Sequence, residues 1–297
     1  MDIERIKYCD WNTAYRCVNN SVELIVVTDI GPRILSFRHA NDDNILFEDT
    51  TGWASGDFRL YGGHRFTVAP ETADTYEADN APCEVTCSEQ SLRISCPVGR
   101  HKIQRILEIR TCEQCGGFEL RHILRNVGEV LWHGAVWVLT AVRPNGSVFV
   151  PWGLGTDKWR INKICYWASV GDFEKNVNSS LWRMTRDAMI IEPNGQTSKV
   201  GIYSDRGWMA LSLKDGTFLK YYDFASQESL YPDGGCNVEI YTCRDFVEME
   251  TLGIMLTIYP GGESIHTECW CLKKEMYSED FFQKMMTHST HKMDNIA

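Results

Sequence analysis

The sequence predicts an all-β protein, a large antiparallel β-sandwich with a short C-terminal helix. Short runs rich in β-branched and aromatic residues recur along most of the 297 positions. Clusters of Gly, Pro, Asn and Asp separate these runs, as is typical of strands joined by turns. No helical pattern intervenes between the runs, which favours antiparallel sheets packed face to face over alternating strands and helices.

The individual elements can be assigned in chain order from this punctuation. The runs expected to form strands are residues 22–27, 33–37, 92–96, 118–124, 135–142, 199–203, 208–213, 237–243, 254–259 and 265–272. The turn clusters between them include residues 29–32, 126–128, 193–195 and 260–262.

One helix is predicted, near the C-terminus. Ser278 is a suitable N-cap for a segment that opens with Glu279 and Asp280 and carries Tyr277, Phe281, Phe282 and Met285. The sequence contains no internal repeat, linker or low-complexity tract. We therefore expect one β-sandwich domain over residues 1–275, followed by the helix and a tail over residues 276–297.

Composition and charge exclude several classes of function. The chain is 43% apolar and 24% charged, which suits a buried core, and its formal net charge of −10 argues against a surface that binds nucleic acid. Charges near the N-terminus and the lack of a long apolar run argue against a signal peptide and a membrane partner. We expect a cytoplasmic protein whose twelve scattered cysteines are mostly reduced, buried small side chains.

Two polar motifs predict a binding site. Residues 62–66 read Gly-Gly-His-Arg-Phe and are followed by Ala-Pro-Glu at 69–71, so an imidazole, a guanidinium and a carboxylate lie within ten residues. Residues 231–241 form a turn that leads into a strand with a polar face. The two motifs are interpreted as two rims of one polar pocket, and the abundance of aromatic residues suits a carbohydrate ligand.

Strand alternation sorts the residues of the second motif onto two faces. Val238 and Ile240 share one face and belong in the core, whereas Asn237, Glu239 and Tyr241 share the other. An amide, a carboxyl and a phenol on one face are expected in a polar concave site. An exposed outer sheet face is the alternative reading of this strand.

The motifs resemble those of the galactose mutarotase-like, or aldose 1-epimerase, superfamily. The opening residues 22–37 and 44–47 are similar to the start of that superfamily. Within it, the chain most closely resembles an uncharacterised mutarotase-like family marked by the Tyr-Gly-Gly-His-Arg and Tyr-Pro-Asp-Gly-Gly-Cys-Asn-Val-Glu motifs, which here are residues 61–65 and 231–239. The likeness extends over roughly residues 8–272.

This resemblance implies a large β-sandwich that binds a sugar and needs no cofactor. In the superfamily's enzymes, a carboxylate takes the proton of the anomeric hydroxyl while an acid, usually His, protonates the ring oxygen, so that the ring opens and closes as the other anomer. By position, Glu239 matches the carboxylate base. The strand that carries the superfamily's histidine corresponds here to residues 134–140, which contain none.

His64 is therefore predicted to replace the missing acid, because it lies between two glycines and Arg65. A structural histidine that bonds to loop carbonyls is the competing interpretation. Two further functions stay open: a sugar-binding or regulatory module without catalysis, and a glycoside hydrolase or lyase that uses Glu248 and Glu250, which share a strand face.

The remaining candidates are expected to bind the substrate through hydroxyl contacts or stacking. They are Arg65, Glu71, Asp79, Asn80, Lys102, Gln104, Trp137, Asp233, Asn237, Tyr241 and Glu248. The expected partner is a small-molecule carbohydrate, a free sugar or a sugar acid, bound to a monomer or homodimer.

Metal binding is not predicted. Cys112 and Cys115 have the spacing of half a zinc site, but a ribbon site needs a second pair at a similar spacing. Their position before two glycines favours a hairpin turn. His122 lies on an apolar strand face and is expected to be a buried, hydrogen-bonded core residue.

Overall fold

Two large antiparallel sheets, packed face to face, form the protein in a computed structural model that describes residues 1–49, 58–153, 161–276, Phe282 and Met285. The all-β prediction is confirmed. Within the described residues the strands are β1 (Asp2–Tyr8), β2 (Trp11–Asn19), β3 (Val22–Val27), β4 (Arg33–His39), β5 (His64–Ala69), β6 (Glu84–Cys87), β7 (Ser91–Ser95), β8 (Ile103–Cys112), β9 (Gly117–Asn126), β10 (Trp132–Val142), β11 (Ser147–Pro151), β12 (Ile164–Tyr166), β13 (Trp182–Met184), β14 (Ala188–Ile191), β15 (Ser198–Ile202), β16 (Trp208–Leu213), β17 (Gly216–Tyr222), β18 (Val238–Thr242), β19 (Val247–Leu252), β20 (Leu256–Ile258) and β21 (Glu263–Lys273).

The strand order differs between the two sheets. The larger sheet, of 11 strands, runs β1-β2-β3-β4-β5-β10-β19-β18-β15-β12, and β20 adds to it by pairing with β10. The second sheet, of 10 strands, runs β13-β14-β11-β16-β17-β21-β9-β8-β7-β6. The crossovers place β5, β10, β19 and β18 side by side, which joins residues near 65 to residues near 240.

Helical structure is sparse in the described chain. One short α-helix, α1 (Phe173–Val177), begins at Asp172, whose side chain accepts a hydrogen bond from the Lys175 amide. Short 3₁₀ turns cover Ala73–Tyr76, Arg100–Lys102 and Glu228–Leu230. None of the described helices is long and apolar enough to cross a membrane.

The predicted C-terminal helix is helical at the two positions that are described. Phe282 is buried and packs against Trp208 of the second sheet, with ring centroids 5.7 Å apart. Ser278, the expected cap, and the rest of the predicted segment lie outside the described residues.

The core lies between the sheets and explains the alternating sequence pattern. On β10, Val136 and Val138 point into the core, while Trp137 and Leu139 pack on the opposite face. The strand is buried on both faces, because chain segments cover the large sheet from outside, and its sequence is accordingly almost continuously apolar.

A disulfide links Cys115, in the turn between β8 and β9, to Cys271 on β21. The other ten cysteines are free thiols, so the expectation that most are reduced is met with this one exception. The predicted hairpin turn is also confirmed, since β8 and β9 pair directly across it.

Candidate active site

The candidate site lies on the outer face, which we define as the face of the large sheet turned away from the second sheet. Adjacent strands present polar side chains there instead of the apolar side chains of the core. From β5 to β15 these are Arg65, Trp137, Glu248 with Glu250, Glu239 with Tyr241, and Lys199. Glu239 lies directly opposite Glu250 in the sheet register, and Tyr241 lies opposite Glu248.

Two carboxyl groups share one ammonium at the centre of this face. Lys199 Nζ lies 2.7 Å from Glu239 Oε2 and 3.2 Å from Glu250 Oε2. Trp137 Nε1 donates a second hydrogen bond, of 2.7 Å, to Glu250 Oε2. The Lys199 ammonium also lies over two indole rings, 4.5 Å from the Trp137 centroid and 4.9 Å from that of Trp167. The cluster is thus held rigidly by charge, hydrogen bonds and aromatic packing.

Among the described residues, no group donates a hydrogen bond to the second oxygen of either carboxyl group. These atoms, Glu239 Oε1 and Glu250 Oε1, are buried, and each residue is only 1% exposed. A buried acceptor without a donor costs about 1–3 kcal/mol, so two of them in one cluster require an explanation. Two hydroxyl groups of a bound ligand would satisfy both.

Glu239 and Glu250 differ in their electrostatic environments. Burial raises the pKa of Glu239 well above its ordinary value. The Lys199 ammonium opposes this rise, whereas the nearby negative charges of Glu250 and Asp233 add to it. Glu250 accepts two hydrogen bonds on one oxygen, which stabilises its charge. Burial thus favours the protonated form of Glu239, while two donors hold Glu250. Pairs of titratable groups in different environments are typical of acid–base sites.

Further acidic groups surround this cluster. Burial, followed by the charge of Glu250, raises the pKa of Glu248 to about 8. Burial also raises the pKa of Asp233, whose carboxyl interacts with that of Glu239. Glu71 accepts a hydrogen bond from the Tyr76 hydroxyl and contributes negative charge near Glu248 and Lys199. The predicted residues Glu71, Asp233 and Glu248 are therefore brought near Glu239.

A cationic cluster adjoins the acidic one at β5. Asp79 accepts two hydrogen bonds from Arg33, of 3.0 and 2.6 Å, and one of 3.2 Å from Arg105. Arg65 Nη2 is 3.7 Å from the same carboxylate, and the Arg65 guanidinium stacks on Phe58 with its Cζ 4.9 Å from the ring centroid. Burial opposes ionisation of Asp79, but the three guanidinium groups hold its pKa well below the usual range.

The predicted residue Asn80 adjoins this cluster through Tyr61. Its side-chain oxygen accepts a 2.8 Å hydrogen bond from the Tyr61 hydroxyl. The guanidinium groups of Arg33 and Arg59 lie 5.7 and 5.3 Å from the Tyr61 ring centroid. Asp79 and Asn80 therefore form the base of the cationic end of the face.

The structure does not bring His64 to this site. His64 begins β5 and points into the core, whereas Arg65, the next residue, points to the outer face. His64 is 0% exposed and lies 2.9 Å from both Thr140 Oγ1 and His122 Nε2. The proposed role of His64 as acid is thus corrected, because the large sheet itself lies between it and Glu239.

The glycines before His64 serve the backbone and not a ligand. Gly62 and Gly63 have φ angles of +81° and +62°, and a Cβ on Gly63 would lie 2.1 Å from the carbonyl oxygen of Ile34. Only glycine allows this close approach between two chain segments.

His64 belongs to a directed hydrogen-bond chain inside the sandwich. His122 Nδ1 is 3.0 Å from the His266 carbonyl oxygen, which only accepts, so Nδ1 carries the proton. His64 Nε2 then donates to His122 Nε2, and Thr140 donates to His64 Nδ1. Lys220 Nζ starts the chain by donating to Thr140 Oγ1 at 2.8 Å. Burial keeps both rings neutral by lowering the pKa of His122 to about 3 and that of His64 well below its ordinary value.

This chain accounts for the metal-like cluster of His64, His122 and Glu268, whose ligand atoms lie within 4.8 Å of one another. Glu268 is paired with Lys220 at 2.9 Å and accepts hydrogen bonds from Thr251 and, at 2.8 Å, from Trp270. The histidine nitrogens between the rings are bonded to each other. The candidate metal-ligand atoms thus already form hydrogen bonds or ion pairs within the protein, and the cluster is a satisfied polar network in the core. His122 is buried as predicted.

Three other predicted residues do not reach the site. Asn237 is buried, and its amide pairs with the Ser204 backbone through two bonds of 2.7 Å. Gln104 belongs to the second sheet, where it donates to the Cys96 carbonyl at 3.0 Å. Lys102 is exposed beside Gly128. These three assignments are corrected, because the side chains serve loop packing or lie on another part of the surface.

Lys199 and Arg33 are central to the site but were not predicted. A signal existed for Lys199, since it is the one charged residue among Ser198, Val200 and Ile202 in a buried strand. Arg33 opens an apolar run and gave no comparable signal.

The predicted turn at 231–235 lies at one rim of the face. Asp233 and Gly234 have positive φ angles, 52° and 75°, and the turn borders an open cavity lined by Lys163, Glu228, Ser229, Tyr231, Gly234 and Gly235. Lys163 closes one side of this cavity by bonding to Glu228 and to the Gly234 carbonyl.

Solved structures share the fold of this chain. A galactose mutarotase-like protein from Lactobacillus casei has a TM-score of 0.57 and 10% identity, over 87% of this chain and 99% of its own. A galactose mutarotase-like protein from Clostridium acetobutylicum has a TM-score of 0.56 and 10% identity, over 93% and 99%. The predicted galactose mutarotase-like sandwich is therefore confirmed as a fold.

A TPR-domain containing protein from Parabacteroides distasonis also contains this fold, with a TM-score of 0.58 and 14% identity. The match covers 90% of this chain, which spans about half, 48%, of that protein. No protein-family model matches the sequence, and a comparison with curated proteins finds no match.

Proposed function

We propose that this chain is an aldose 1-epimerase-like protein that binds a sugar on the outer face and exchanges its anomers. The observation that carries the proposal is the pair of buried carboxyl groups at Glu239 and Glu250, each with one unpartnered oxygen. The shared fold is consistent with it, but fold alone does not specify a reaction.

In the proposed reaction, Glu250 acts as the base and Glu239 as the acid. The Glu250 carboxylate takes the proton of the anomeric hydroxyl as the carbonyl forms, and the bond between the anomeric carbon and the ring oxygen breaks. Glu239, which holds a proton, transfers it to the leaving ring oxygen. After rotation about the C1–C2 bond, the ring closes and both protons return, so that the enzyme ends as it began.

The surrounding residues position this pair and adjust its acidity. Lys199 contacts both carboxyl groups, while Trp137 orients Glu250. Directly opposed side chains on neighbouring strands have Cβ atoms about 5 Å apart, so a single hemiacetal can contact both. The acid role predicted for His64 thus passes to Glu239, and the base role predicted for Glu239 passes to Glu250.

Anomer exchange can be measured directly by two-dimensional exchange NMR on a panel of free sugars. The wild-type protein is expected to exchange anomers faster than the buffer alone. Glu239→Gln and Glu250→Gln are each expected to reduce the acceleration by about 10²–10⁴, the range typical of a lost acid or base. Glu263→Gln, on the half-exposed end of β21, is the matched control. Circular dichroism checks that each variant folds.

Three results would contradict the proposal. If both glutamine variants keep the wild-type rate, the pair is not the catalytic one. Binding of a sugar without acceleration would instead favour a non-catalytic binding module. Release of reducing ends from an oligosaccharide would favour a hydrolase or lyase.

A further inference from the structure

The guanidinium of Arg65 presents an unused edge on the outer face. Its Nε and Nη2 atoms are both buried and form no hydrogen bond with the part of the chain that the structure describes, and the residue is 3% exposed. These two nitrogens lie on the same side of the planar guanidinium, so their N–H groups point in parallel. This edge matches the two oxygens of a carboxylate or phosphate.

Packing fixes this edge in place. The guanidinium stacks on the Phe58 ring, and Arg65 is in register with Leu139 of β10, which belongs to the apolar cluster of the outer face. Asp79, at 3.7 Å, is too far from Nη2 for a hydrogen bond. Both oxygens of Asp79 already accept hydrogen bonds from Arg33 or Arg105.

Three guanidinium groups meet one carboxylate in this region. Arg33, Arg65 and Arg105 converge on Asp79. The other acidic groups beside them, the Cys96 thiol and Glu77, lie near Arg105. Burial raises the pKa of Glu248, which interacts with Arg65, to about 8. A further anion beside Arg65 would therefore be favourable in this buried place, where unpaired charge is costly.

The Arg65 end of the outer face favours a ligand group that accepts hydrogen bonds, whereas the end at Glu239 and Glu250 favours ligand hydroxyls. Arg65 offers two donors, whereas Glu239 and Glu250 each offer one oxygen without a hydrogen-bond partner among the described residues. Arg65 and Glu250 lie two strands apart, about 10 Å between backbones. Because both side chains are long, a single monosaccharide can contact both.

We infer that the ligand is an anionic sugar whose oxyanion binds side-on to the Nε and Nη2 atoms of Arg65, while its hydroxyls bind Glu239 and Glu250. This inference rests on the proposal that the outer face binds a sugar. It does not depend on catalysis. A sugar acid and a sugar phosphate both carry the required group.

Binding measured by isothermal titration calorimetry tests the inference on the full chain. The probes are D-glucuronate, D-galacturonate and D-glucose 6-phosphate, with D-glucose and D-galactose as neutral counterparts. At least one anionic sugar is expected to bind tenfold or more tightly than its neutral counterpart. The uronates and the phosphate ester then show which oxyanion fits.

Two variants assign the preference to Arg65. Arg65→Gln is expected to abolish the difference between anionic and neutral sugars, and Arg65→Lys to restore only part of it, because an ammonium lacks the bidentate edge. Arg110→Gln, which alters a half-exposed arginine paired with Glu108 on the second sheet, should keep the wild-type preference. If Arg65→Gln does not fold, the affinities of the wild-type protein for anionic and neutral sugars still test whether the ligand is anionic.

The outcomes separate this inference from the proposed function. Tight binding of an anionic sugar without anomer exchange supports the inference and contradicts the epimerase proposal. Equal or tighter binding of the neutral sugars, or no binding of any anionic sugar at millimolar concentration, overturns the inference even if anomers of a neutral sugar are exchanged.

Discussion

Replacing Lys220 with methionine should destabilise the protein strongly, because this lysine is the only positive partner of a carboxylate buried among the described core residues. Lys220 and Glu268 are both 0% exposed and lie 2.9 Å apart. Lys220 Nζ also donates to Thr140 Oγ1 at 2.8 Å and to the Met249 carbonyl at 2.7 Å. Methionine has a similar length and cannot replace any of these bonds.

The expected cost follows from the charge that remains. Without Lys220, Glu268 keeps hydrogen bonds from Trp270 and Thr251 but loses its counter-charge. Breaking a buried ion pair in this way costs about 3–5 kcal/mol, a large part of the ~5–15 kcal/mol by which domains are stable. The double variant Lys220→Met/Glu268→Gln removes both charges and should recover at least about 2 kcal/mol of that loss.

Urea unfolding at pH 7, followed by tryptophan fluorescence and far-ultraviolet circular dichroism, measures both effects. Lys214→Met, at an exposed turn position, is the control and should change stability by less than about 0.5 kcal/mol. If Lys220→Met costs less than about 1 kcal/mol, or if the double variant is no more stable than the single one, the buried pair does not carry opposite charges and the reasoning fails.

Two further predictions concern ionisation and cysteine chemistry. Burial raises the pKa of Glu248 to about 8 in the folded protein. The contribution of Glu248 to stability is therefore fully present below about pH 4.5, the pKa of glutamate in the unfolded chain, and is lost as the pH rises through 8. Glu248→Gln should accordingly show a smaller fall in the urea midpoint between pH 6 and pH 9 than the wild-type protein. An equal fall in both proteins would show that Glu248 ionises normally. Alkylation of the unfolded, unreduced chain should label ten cysteines, and reduction should release two more, in peptides that contain Cys115 and Cys271. Twelve labelled cysteines before reduction would contradict that disulfide.

The architecture and one strand of the site could be predicted from the sequence because both depend on local alternation. In β18, Val238 and Ile240 enter the core, and Glu239 with Tyr241 faces the opposite side, as the pattern indicates. The turn before this strand and the hairpin at Cys112 and Cys115 were also identified from their local residue types. That residues 1–275 form one domain stays a prediction.

The errors arise where function depends on strand phase or on contacts distant in the chain. Residues 62–66 were interpreted as a loop whose histidine and arginine serve one pocket, but a strand begins at His64, and neighbouring residues in a strand face opposite ways. Gln104 illustrates the same effect, since Arg105, the next residue, is the one that contacts Asp79. Lys199 and Glu250 meet only because β15, β18 and β19 are adjacent in the sheet, which no local pattern reveals.

The sharing of strands β5, β10, β18 and β19 between the core and the outer face has a consequence for mutational scanning. Along each of them, consecutive side chains face opposite sides of the sheet. On β10, Val138 and Thr140 face the sandwich interior, whereas Trp137 and Leu139 face the ligand side. A scan that records abundance and sugar binding separately should therefore show the two phenotypes alternating with a period of two residues. Strands at the sheet margins, such as β1, should show no such alternation of the binding phenotype.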